Sequence, residues 1–390
     1  MGDEGMGPAQ NEIIASTEDR LVEAAIELFS KRWYGTVSVA SICRHAGLSN
    51  GVYYRYFTGK EQIFHRILQR VLDMIRQAVS TPSGETRSDR LRALIAAVVG
   101  FSREHPDLVA VFREGQYRFF EYERKLVSIY TQSLASALDF EPGLPEYVFA
   151  FGGLRFCAIR SALHGVPIDT GSIEIILSRG LFPHSAFDAE RVFSGAATPL
   201  PVSLDASARE RLLRAGKKLF SEKGYFDTAI HEITDHAGLA VGSFYSYFES
   251  KEAYLGEMIR LIGHDVRLFI SRNLPVEDGS PLNRLEREMR GLWLWLVYLS
   301  IDKDCYPVVR EGEFVVPAAV QDYYAQFVEG YRKNPDGNGA VDDRTAIEFL
   351  LGVAHYLGIE SAFDAAPSNA RAAVETIAGY MARGFSDRLG

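Results

Sequence analysis

Cysteine is scarce in this sequence, with three residues among 390. Cys43, Cys157 and Cys305 lie far apart, and no two cysteines have the CxxC spacing that is typical of zinc and redox sites. An odd number of separated cysteines excludes a disulfide framework and favours a reducing compartment. We therefore expect a cytoplasmic protein that carries no metal and no cofactor.

Long apolar runs are also missing from the chain. The longest, Leu292 to Leu299, has eight residues, whereas a helix that crosses a bilayer needs about 20. The first residues are acidic and lack the basic start and the apolar stretch of a signal peptide. We expect residues 1–16 to form a flexible tail and the protein to have no membrane partner.

The chain lacks the motifs of common enzymes, because no HExxH, GxSxG, Walker or GxGxxG pattern occurs in a plausible structural context. We therefore do not expect an enzyme. A net charge of -9 argues against nucleic-acid binding through overall basicity, although a local basic surface can act alone. A hydrophobic content of 47% and an aromatic content of 12% exclude disorder, and 390 residues allow two or more domains.

An internal repeat organises the chain. Residues 20–64 align without a gap onto residues 211–255, with 18 of 45 positions identical. The tripeptide Arg-Glu-Gly also recurs, at 113–115 and at 310–312. Each half is therefore one copy of a whole unit. Each unit begins with a small N-terminal domain, which we call its head. The predicted division is a tail (1–16), a first head (17–64), a first helical domain (65–181), a linker (182–206), a second head (207–255) and a second helical domain (256–390).

Both units are predicted to be helical throughout, which makes the fold class all-α. Leu21, Ala24 and Leu28 fall at the 3.6-residue spacing of an amphipathic helix, and Leu212, Ala215 and Leu219 repeat that spacing in the second unit. The later segments are long and apolar without the period-two alternation of strands. Tandem helical units joined by a linker rich in proline, alanine and serine are the expected architecture.

A helix-turn-helix motif follows the first helix of each unit. In the first unit, Ser38 is suited to cap one short helix, Gly47 to form the tight turn, and Ser49 to cap the next helix. This geometry places the last helix in the major groove of DNA. We therefore expect operator DNA as a partner.

The same segment resembles the TetR family of transcriptional regulators. The matching residues are Ala46, Gly47, Gly51, Tyr54, Tyr56, Phe57 and Lys60, and again Ala237, Gly238, Gly242, Tyr245, Tyr247, Phe248 and Lys251. The resemblance implies a helix-turn-helix head and a helical effector-binding domain in each unit. It also implies that segments 147–163 and 345–363 face each other as in a homodimer, which would make this chain an intramolecular pseudo-dimer and a monomer in solution.

The residues expected to contact DNA are Ser38, Ser49, Asn50, Gly51, Tyr53, Tyr54, Arg55 and Lys60 in the first head and Val241, Gly242, Phe244, Tyr245 and Lys251 in the second. Glycine allows close approach to the sugar-phosphate chain, tyrosine hydroxyls and lysine suit phosphates, and asparagine suits adenine. Taken alone, aromatic residues such as Tyr54 and Phe57 are more often core than contact, so burial is the alternative.

Aromatic and aliphatic residues of the helical domains are expected to enclose a small effector. The candidates are Phe101, Phe112, Tyr117, Phe119, Arg155 and Phe156 in the first half and Trp293, Trp295, Phe314, Tyr323, Phe327 and His355 in the second. A mostly apolar cavity with few polar residues suits a lipidic, aromatic or steroid-like ligand. The alternative for each residue is an ordinary place in the core.

The two heads are not equivalent. The second replaces Asn50 by Val241, Ser49 by Ala240 and Arg55 by Ser246, although basic residues between Arg209 and Lys218 can partly restore phosphate contacts. The leading hypothesis is a repressor that an effector releases from DNA. The alternative is a ligand sensor or scaffold with a decayed second helix-turn-helix that does not bind DNA by itself.

Overall fold

We describe the protein from a computed structural model that covers residues 16–80, 82–201, 206–276, 279–332, 339–363 and 370–389. The expected flexible tail therefore lies, except for Ser16, outside the described residues, and so do residues 202–205 of the expected linker. Within the described ranges every regular element is a helix, and no strand occurs. The predicted all-α fold class is confirmed.

The described residues of the first half form eleven α-helices and two irregular turns. The helices are α1 (Thr17–Phe29), α2 (Val39–His45), α3 (Asn50–Tyr53), α4 (Lys60–Val79), α5 (Arg87–Glu104), α6 (Pro106–Arg118), α7 (Phe120–Leu138), α8 (Leu144–Tyr147), α9 (Gly153–His164), α10 (Thr170–Arg179) and α11 (Ala189–Val192). A 3-10 turn, Tyr34–Thr36, follows α1, and a π-helical turn, Val148–Gly152, joins α8 to α9.

The second half repeats this order. Its described helices are α12 (Ala208–Lys223), α13 (Ile230–His236), α14 (Val241–Tyr245), α15 (Lys251–Asn273), α16 (Arg284–Ile301), α17 (Cys305–Val315), α18 (Pro317–Arg332), α19 (Asp343–Phe363), α20 (Ala370–Arg383) and α21 (Ser386–Leu389). Helices α12 to α19 match α1 to α7 and α9 in order. None of the described helices has the length and hydropathy needed to span a membrane.

Each head is a bundle of three helices, α1–α3 in the first half and α12–α14 in the second. Helix α1 begins at a capping box, in which Ser16 and Asp19 satisfy each other's backbone N–H groups. The tight turn before α3 requires glycine, because Gly47 has a φ of +66° and the matching Gly238 a φ of +65°. These turns hold α3 and α14 at the outer surface of the two heads.

The two halves pack against each other through α9 and α19. Their backbones approach closely at Gly352 of α19 and at Gly152, the last residue of the π-helical turn before α9, and a Cβ atom on Gly352 would lie 2.5 Å from the carbonyl oxygen of Gly152. Beside this crossing, the buried Nε of Arg160 donates to Glu348 of the other half at 3.1 Å. The expectation that segments 147–163 and 345–363 face each other is confirmed.

The connection between the halves lies against the second half along its described length. Val192 in α11 is buried, and Arg290 of α16 donates to the carbonyl oxygens of Val192 at 2.9 Å and Ser194 at 3.1 Å. Farther along, the backbone N–H of Thr198 donates to Asn273 at 2.7 Å. The boundaries of the predicted linker, 182–206, remain a prediction.

The close crossing of α9 and α19 gives a test of the interface. We expect Gly352→Ala to lower the free energy of unfolding by about 1 to 3 kcal/mol, because the added methyl group meets backbone rather than a flexible side chain. The control is Gly100→Ala in α5, where a Cβ atom would have no neighbour within 4 Å. That control should raise the stability by about 0.5 to 1 kcal/mol. Urea denaturation of both variants measures the difference, and equal effects would contradict the packing.

Candidate nucleic-acid interface and effector pocket

Helix α3 divides its aromatic residues between the core and the surface. Tyr53 is completely buried, whereas Tyr54 is 60% exposed and Tyr56, just beyond the helix, is 42% exposed. Helix α14 repeats the division, with Phe244 buried, Tyr245 59% exposed and Tyr247 46% exposed. Two helices with the same exposed pattern present matching outer faces on the two heads.

Three expectations for the heads need correction. Tyr53 and Phe244 do not reach the surface, and the hydroxyl of Tyr53 donates to the carbonyl oxygen of Gly59 at 3.0 Å. The prediction that these two residues contact DNA is therefore wrong, because both rings fill the core of their heads. Ser49 precedes α3 but makes no capping hydrogen bond, whereas Ser38 caps α2 by accepting from the N–H of Ser41 at 3.1 Å.

Contacts among the described residues do not explain the glycines at the start of the recognition helices. Within these residues, a Cβ atom on Gly51 would meet only the hydroxyl of Ser49, at 3.9 Å, and one on Gly242 would have no neighbour within 4 Å. Asn50 and Val241 are exposed beside these glycines. A glycine at an exposed helix N-terminus leaves the backbone N–H groups accessible. Another molecule, and phosphate in particular, can therefore approach them closely.

Exposed cations distinguish the first head from the second. Arg44 and Arg55 are exposed in the first head and form no ion pair with described residues, while Asp235 and Ser246 occupy the matching positions of the second head. Of the basic residues in α12, Arg209 pairs with Glu257, Lys217 with Asp302, and Lys218 with Glu222 and Asp304. The expectation that this helix partly restores phosphate contacts remains a prediction.

Lys60 in α4 and Lys251 in α15 each contact a tyrosine of the preceding head. The Nζ atom of Lys60 donates to the carbonyl oxygen of Tyr34 at 2.7 Å and lies 4.1 Å from the centre of its ring. Lys251 makes the same two contacts with Tyr225, at 4.2 Å from the ring centre. Burial lowers the pKa of both lysines. Their contact with phosphate remains a prediction.

The two Arg-Glu-Gly segments join the heads to the helical domains. The carboxylate of Glu114 in α6 accepts from the backbone N–H of Tyr34 at 3.0 Å, and Glu311 in α17 accepts from that of Tyr225 at 2.7 Å. Burial raises the pKa of Glu114 to about 8 and that of Glu311 to about 7, because burial penalises the charged form. One buried carboxyl group therefore holds each head to its domain.

The arginines of these segments meet in one buried network. Arg113 donates through Nε to Glu313 of the other half at 3.1 Å, and Arg310 also pairs with Glu313. Arg310 further contacts Nδ1 of His355 at 3.1 Å, while Nε2 of His355 lies 3.2 Å from the hydroxyl of Tyr117. The network thus connects α6 of the first half with α17 and α19 of the second.

A cavity of about 370 Å³ lies in the second half between α15, α16, α17, α18 and α19. Four predicted effector residues line it, namely Trp295, Tyr323, Phe327 and His355. The other two do not. Trp293 faces away and packs edge-on against Phe193, with 5.1 Å between the ring centres. Phe314 packs against Trp33 of the first head, at 5.2 Å. For these two residues the prediction is wrong.

The matching region of the first half holds only about 30 Å³. Phe101, Phe112 and Arg155 line this small space, whereas the other three predicted residues lie elsewhere. Tyr117 contacts His355, Phe119 packs 4.3 Å from the ring centre of His65, and Phe156 packs 5.4 Å from that of Tyr324 in the other half. The prediction of an effector pocket in the first half is therefore not supported.

Arg155 accounts for the closed first half. It stands at the position that His355 occupies in the second half, and its guanidinium group donates to the buried carboxylate of Glu123 at 2.7 Å and 3.0 Å. It also donates to the hydroxyl of Tyr147 and lies 4.3 Å from the ring centre of Tyr356. A long, ion-paired arginine side chain thus occupies the space that stays open beside the shorter histidine.

Several residues of these sites are not among the site residues predicted from the sequence. Tyr56 and Tyr247 are exposed at the ends of the recognition helices, and the repeated tyrosines of the motif were the available signal. Glu114 and Glu311 were visible in the repeated Arg-Glu-Gly tripeptides. No sequence signal distinguished Arg267, which lines the cavity in α15, from an ordinary surface arginine.

Comparison with known proteins finds one family model that matches both heads. The model of a family described as "Bacterial regulatory proteins, tetR family" matches residues 21–67 and, a second time, residues 212–258. Both matches cover one head and the beginning of the following helix, α4 or α15. The two tandem units are therefore confirmed, and the remaining helices have to be interpreted from their own geometry.

The similar curated proteins include the HTH-type transcriptional repressor DhaR of Mycobacterium sp. (strain GP1), which is 37% identical over 78 residues, or 20% of this chain and 39% of that protein. The uncharacterized HTH-type transcriptional regulator YdgC of Bacillus subtilis is 34% identical over 124 residues, or 30% of this chain and 60% of that protein. The chain thus spans 39% to 60% of the length of these relatives.

Among solved structures, the fatty acid degradation regulator FadR from Bacillus halodurans is similar over 46% of this chain and 96% of that chain, with 16% sequence identity and a TM-score of 0.38.

The buried carboxyl groups at the heads predict a dependence of stability on pH. The fold raises the pKa of Glu114 from 4.5 to about 8 and that of Glu311 from 4.5 to about 7. In this range the folded protein binds more protons than the unfolded chain, so the free energy of unfolding falls as the pH rises. Urea denaturation at a series of pH values measures the slope.

The isosteric variant Glu114→Gln, Glu311→Gln is the control for this slope. It keeps an oxygen that accepts from Tyr34 and Tyr225 but cannot ionise. We expect its stability to vary less with pH than that of the natural chain between pH 5 and pH 8, where the two carboxyl groups titrate. An unchanged slope in the double variant would show that other groups are responsible.

Proposed function

We propose that the chain is a transcriptional regulator that binds operator DNA, because the model of the bacterial tetR family matches it twice in tandem. It acts as a repressor, and a small, mainly apolar effector in the cavity of the second half releases it. It works as a monomer in which the two halves replace the two subunits of a dimer.

The outer faces of α3 and α14 are the main support for DNA binding. Each has an exposed tyrosine, Tyr54 or Tyr245, and an exposed glycine, Gly51 or Gly242, at the same positions. In the part of the chain that the structure describes, no neighbour requires either glycine. Exposed tyrosines beside bare helix N-termini suit contacts with phosphates and base edges.

The monomeric state is supported by the crossing of α9 and α19. This crossing brings Gly152 and Gly352 into backbone contact and buries Arg160 and Glu348 as a pair. The surface that separate subunits would share is therefore covered within one chain. The heads are unlike, so the operator should consist of two different half-sites.

The buried network supports control of both heads by one cavity. His355 and Arg310 line the cavity. His355 contacts Tyr117 in α6, the helix whose Glu114 holds the first head, and Arg310 precedes Glu311, which holds the second. A ligand that displaces these two side chains changes the contacts of both heads with their helical domains. Because it binds one arrangement of the heads more tightly than the other, it shifts the population toward that arrangement.

A second candidate is a sensor whose second head no longer binds DNA. The exposed Asp235, where the first head has Arg44, favours this function because an acidic side chain opposes phosphate. In that case one head alone should account for all binding to DNA. Selection of binding sites from random DNA separates the two candidates, since a decayed head leaves a single half-site.

Salt-dependent binding to a selected operator tests the proposed function. We expect tight binding that weakens as salt rises, because phosphate contacts release counterions. Asn50→Ala should relax the choice of one base at a cost of about 1 to 3 kcal/mol, and Val241→Ala should cost less because valine makes only apolar contact. Titration of each variant against the operator and a scrambled sequence provides the measurement. The absence of preference for any selected sequence would refute the proposal.

The adjacent tyrosines of α3 offer a matched pair of variants. Tyr54→Phe removes an exposed hydroxyl and should weaken operator binding about tenfold, with unchanged stability. Tyr53→Phe removes a hydrogen bond inside the head and should lower the free energy of unfolding by about 1 kcal/mol, with little change in DNA affinity. Fluorescence anisotropy and urea denaturation measure the two effects. A loss of DNA affinity in Tyr53→Phe together with a loss of stability in Tyr54→Phe would contradict the placement of Tyr54 on the DNA-binding face.

A further inference from the structure

The cavity of the second half has two chemically different ends. Its inner end contains aromatic and aliphatic side chains such as Trp295 and Leu351. Its outer end reaches the exposed Gln326 and Gly330 of α18. Three arginines line this outer region: Arg267 near the end of α15, and Arg284 and Arg287 in the first turns of α16.

Two of the three arginines at the outer end, Arg267 and Arg287, are not paired with a carboxylate of the described residues. Glu288 is the one acidic residue that lines the described cavity, and it pairs with Arg284 at 2.7 Å. Arg287 forms no ion pair with residues that the structure describes. The Nη1 atom of Arg267 is shielded from solvent and has no hydrogen-bond partner in the described parts of the chain.

Arg267 lies directly against the cavity wall. Its guanidinium carbon is 5.5 Å from the centre of the Phe327 ring, and both residues line the cavity. Burial lowers the pKa of Arg267, since desolvation disfavours its charged form. An anion beside the guanidinium group would supply the missing hydrogen-bond acceptor and the missing opposite charge.

We propose that this cavity holds one amphipathic anion per chain, whose carboxylate or phosphate group binds Arg267 and Arg287 while its apolar part fills the inner end. This inference rests on the proposed function, because it names the chemical class of the effector of the same cavity. The apolar lining provides the affinity, and the two arginines select the charged end.

The limit of one ligand per chain follows from the first half. There Arg155 occupies the position of His355, pairs with Glu123, and leaves only about 30 Å³. The positions that match Arg267 and Arg287, by the offsets of the neighbouring helices, are Arg76 and Arg90. Arg76 is exposed and pairs with Asp73, and Arg90 pairs with Asp139. No anion is needed to balance either of them.

Titration calorimetry with three twelve-carbon probes tests the inference on the full chain without DNA. The probes are dodecanoate, dodecyl phosphate and 1-dodecanol, each below the concentration at which it aggregates. We expect one dodecanoate or dodecyl phosphate per chain and at least about tenfold weaker binding of the alcohol, because the alcohol cannot form the charged hydrogen bonds with the arginines. The tighter of the two anions identifies the headgroup.

Variants of Arg267 connect the preference to the cavity. Arg267→Gln should reduce the affinity for the bound anion to that for dodecanol, while Arg267→Lys should keep most of the preference because it keeps the charge. The matched control, Arg76→Gln in the first half, should change neither affinity. Circular dichroism confirms that each variant is folded before titration.

Equal affinity for the anions and the alcohol would overturn the inference, as would two bound anions per chain or no binding of either anion. If folded Arg267→Gln still prefers the anion to the alcohol as strongly as the natural chain does, the assignment of the anion site to Arg267 is wrong. These readouts do not involve DNA. A failure of the anion to bind therefore leaves operator binding intact, whereas a failure of operator binding leaves the anion titration unchanged.

Discussion

The crossing of α9 and α19 is the contact on which the rest of the molecule depends. At Gly152 and Gly352 the two backbones touch, because neither residue carries a side chain that would hold the helices apart. This contact turns two consecutive units into one body with two heads. It also brings Arg113, Glu313 and His355 from opposite halves into a single buried network. Without the crossing, the first head would not be linked to the cavity.

Joining both units in one chain removes the symmetry that a homodimer imposes. Each half can then change independently, and the structure shows this at both ends. The first half keeps the exposed cations Arg44 and Arg55 on its head and fills its domain with Arg155. The second half has lost those cations and keeps an open cavity of about 370 Å³. The first half is thus better suited to contact DNA, and the second to bind a ligand.

The sequence predicts the repeated and local features of this structure well. Helical periodicity and the turn glycines locate both heads, and the family resemblance implies that the segments of α9 and α19 face each other. Tyr53 and Tyr54 were not distinguishable, because neighbours on a helix differ by about 100° in direction and only tertiary contacts decide which is buried. The sequence also does not predict that the effector region of the first half is filled. Arg155 fills its domain only because Glu123, 32 residues away in sequence, lies opposite.

The central claim is that one chain uses two unlike heads on one operator. Native mass spectrometry combined with a hydroxyl-radical footprint of the same complex tests it most directly. The account predicts one chain per operator and two protected half-sites of different sequence, with the stronger protection over the half-site that the first head reads. Two chains on a symmetric operator, or one chain that protects a single half-site, would contradict it.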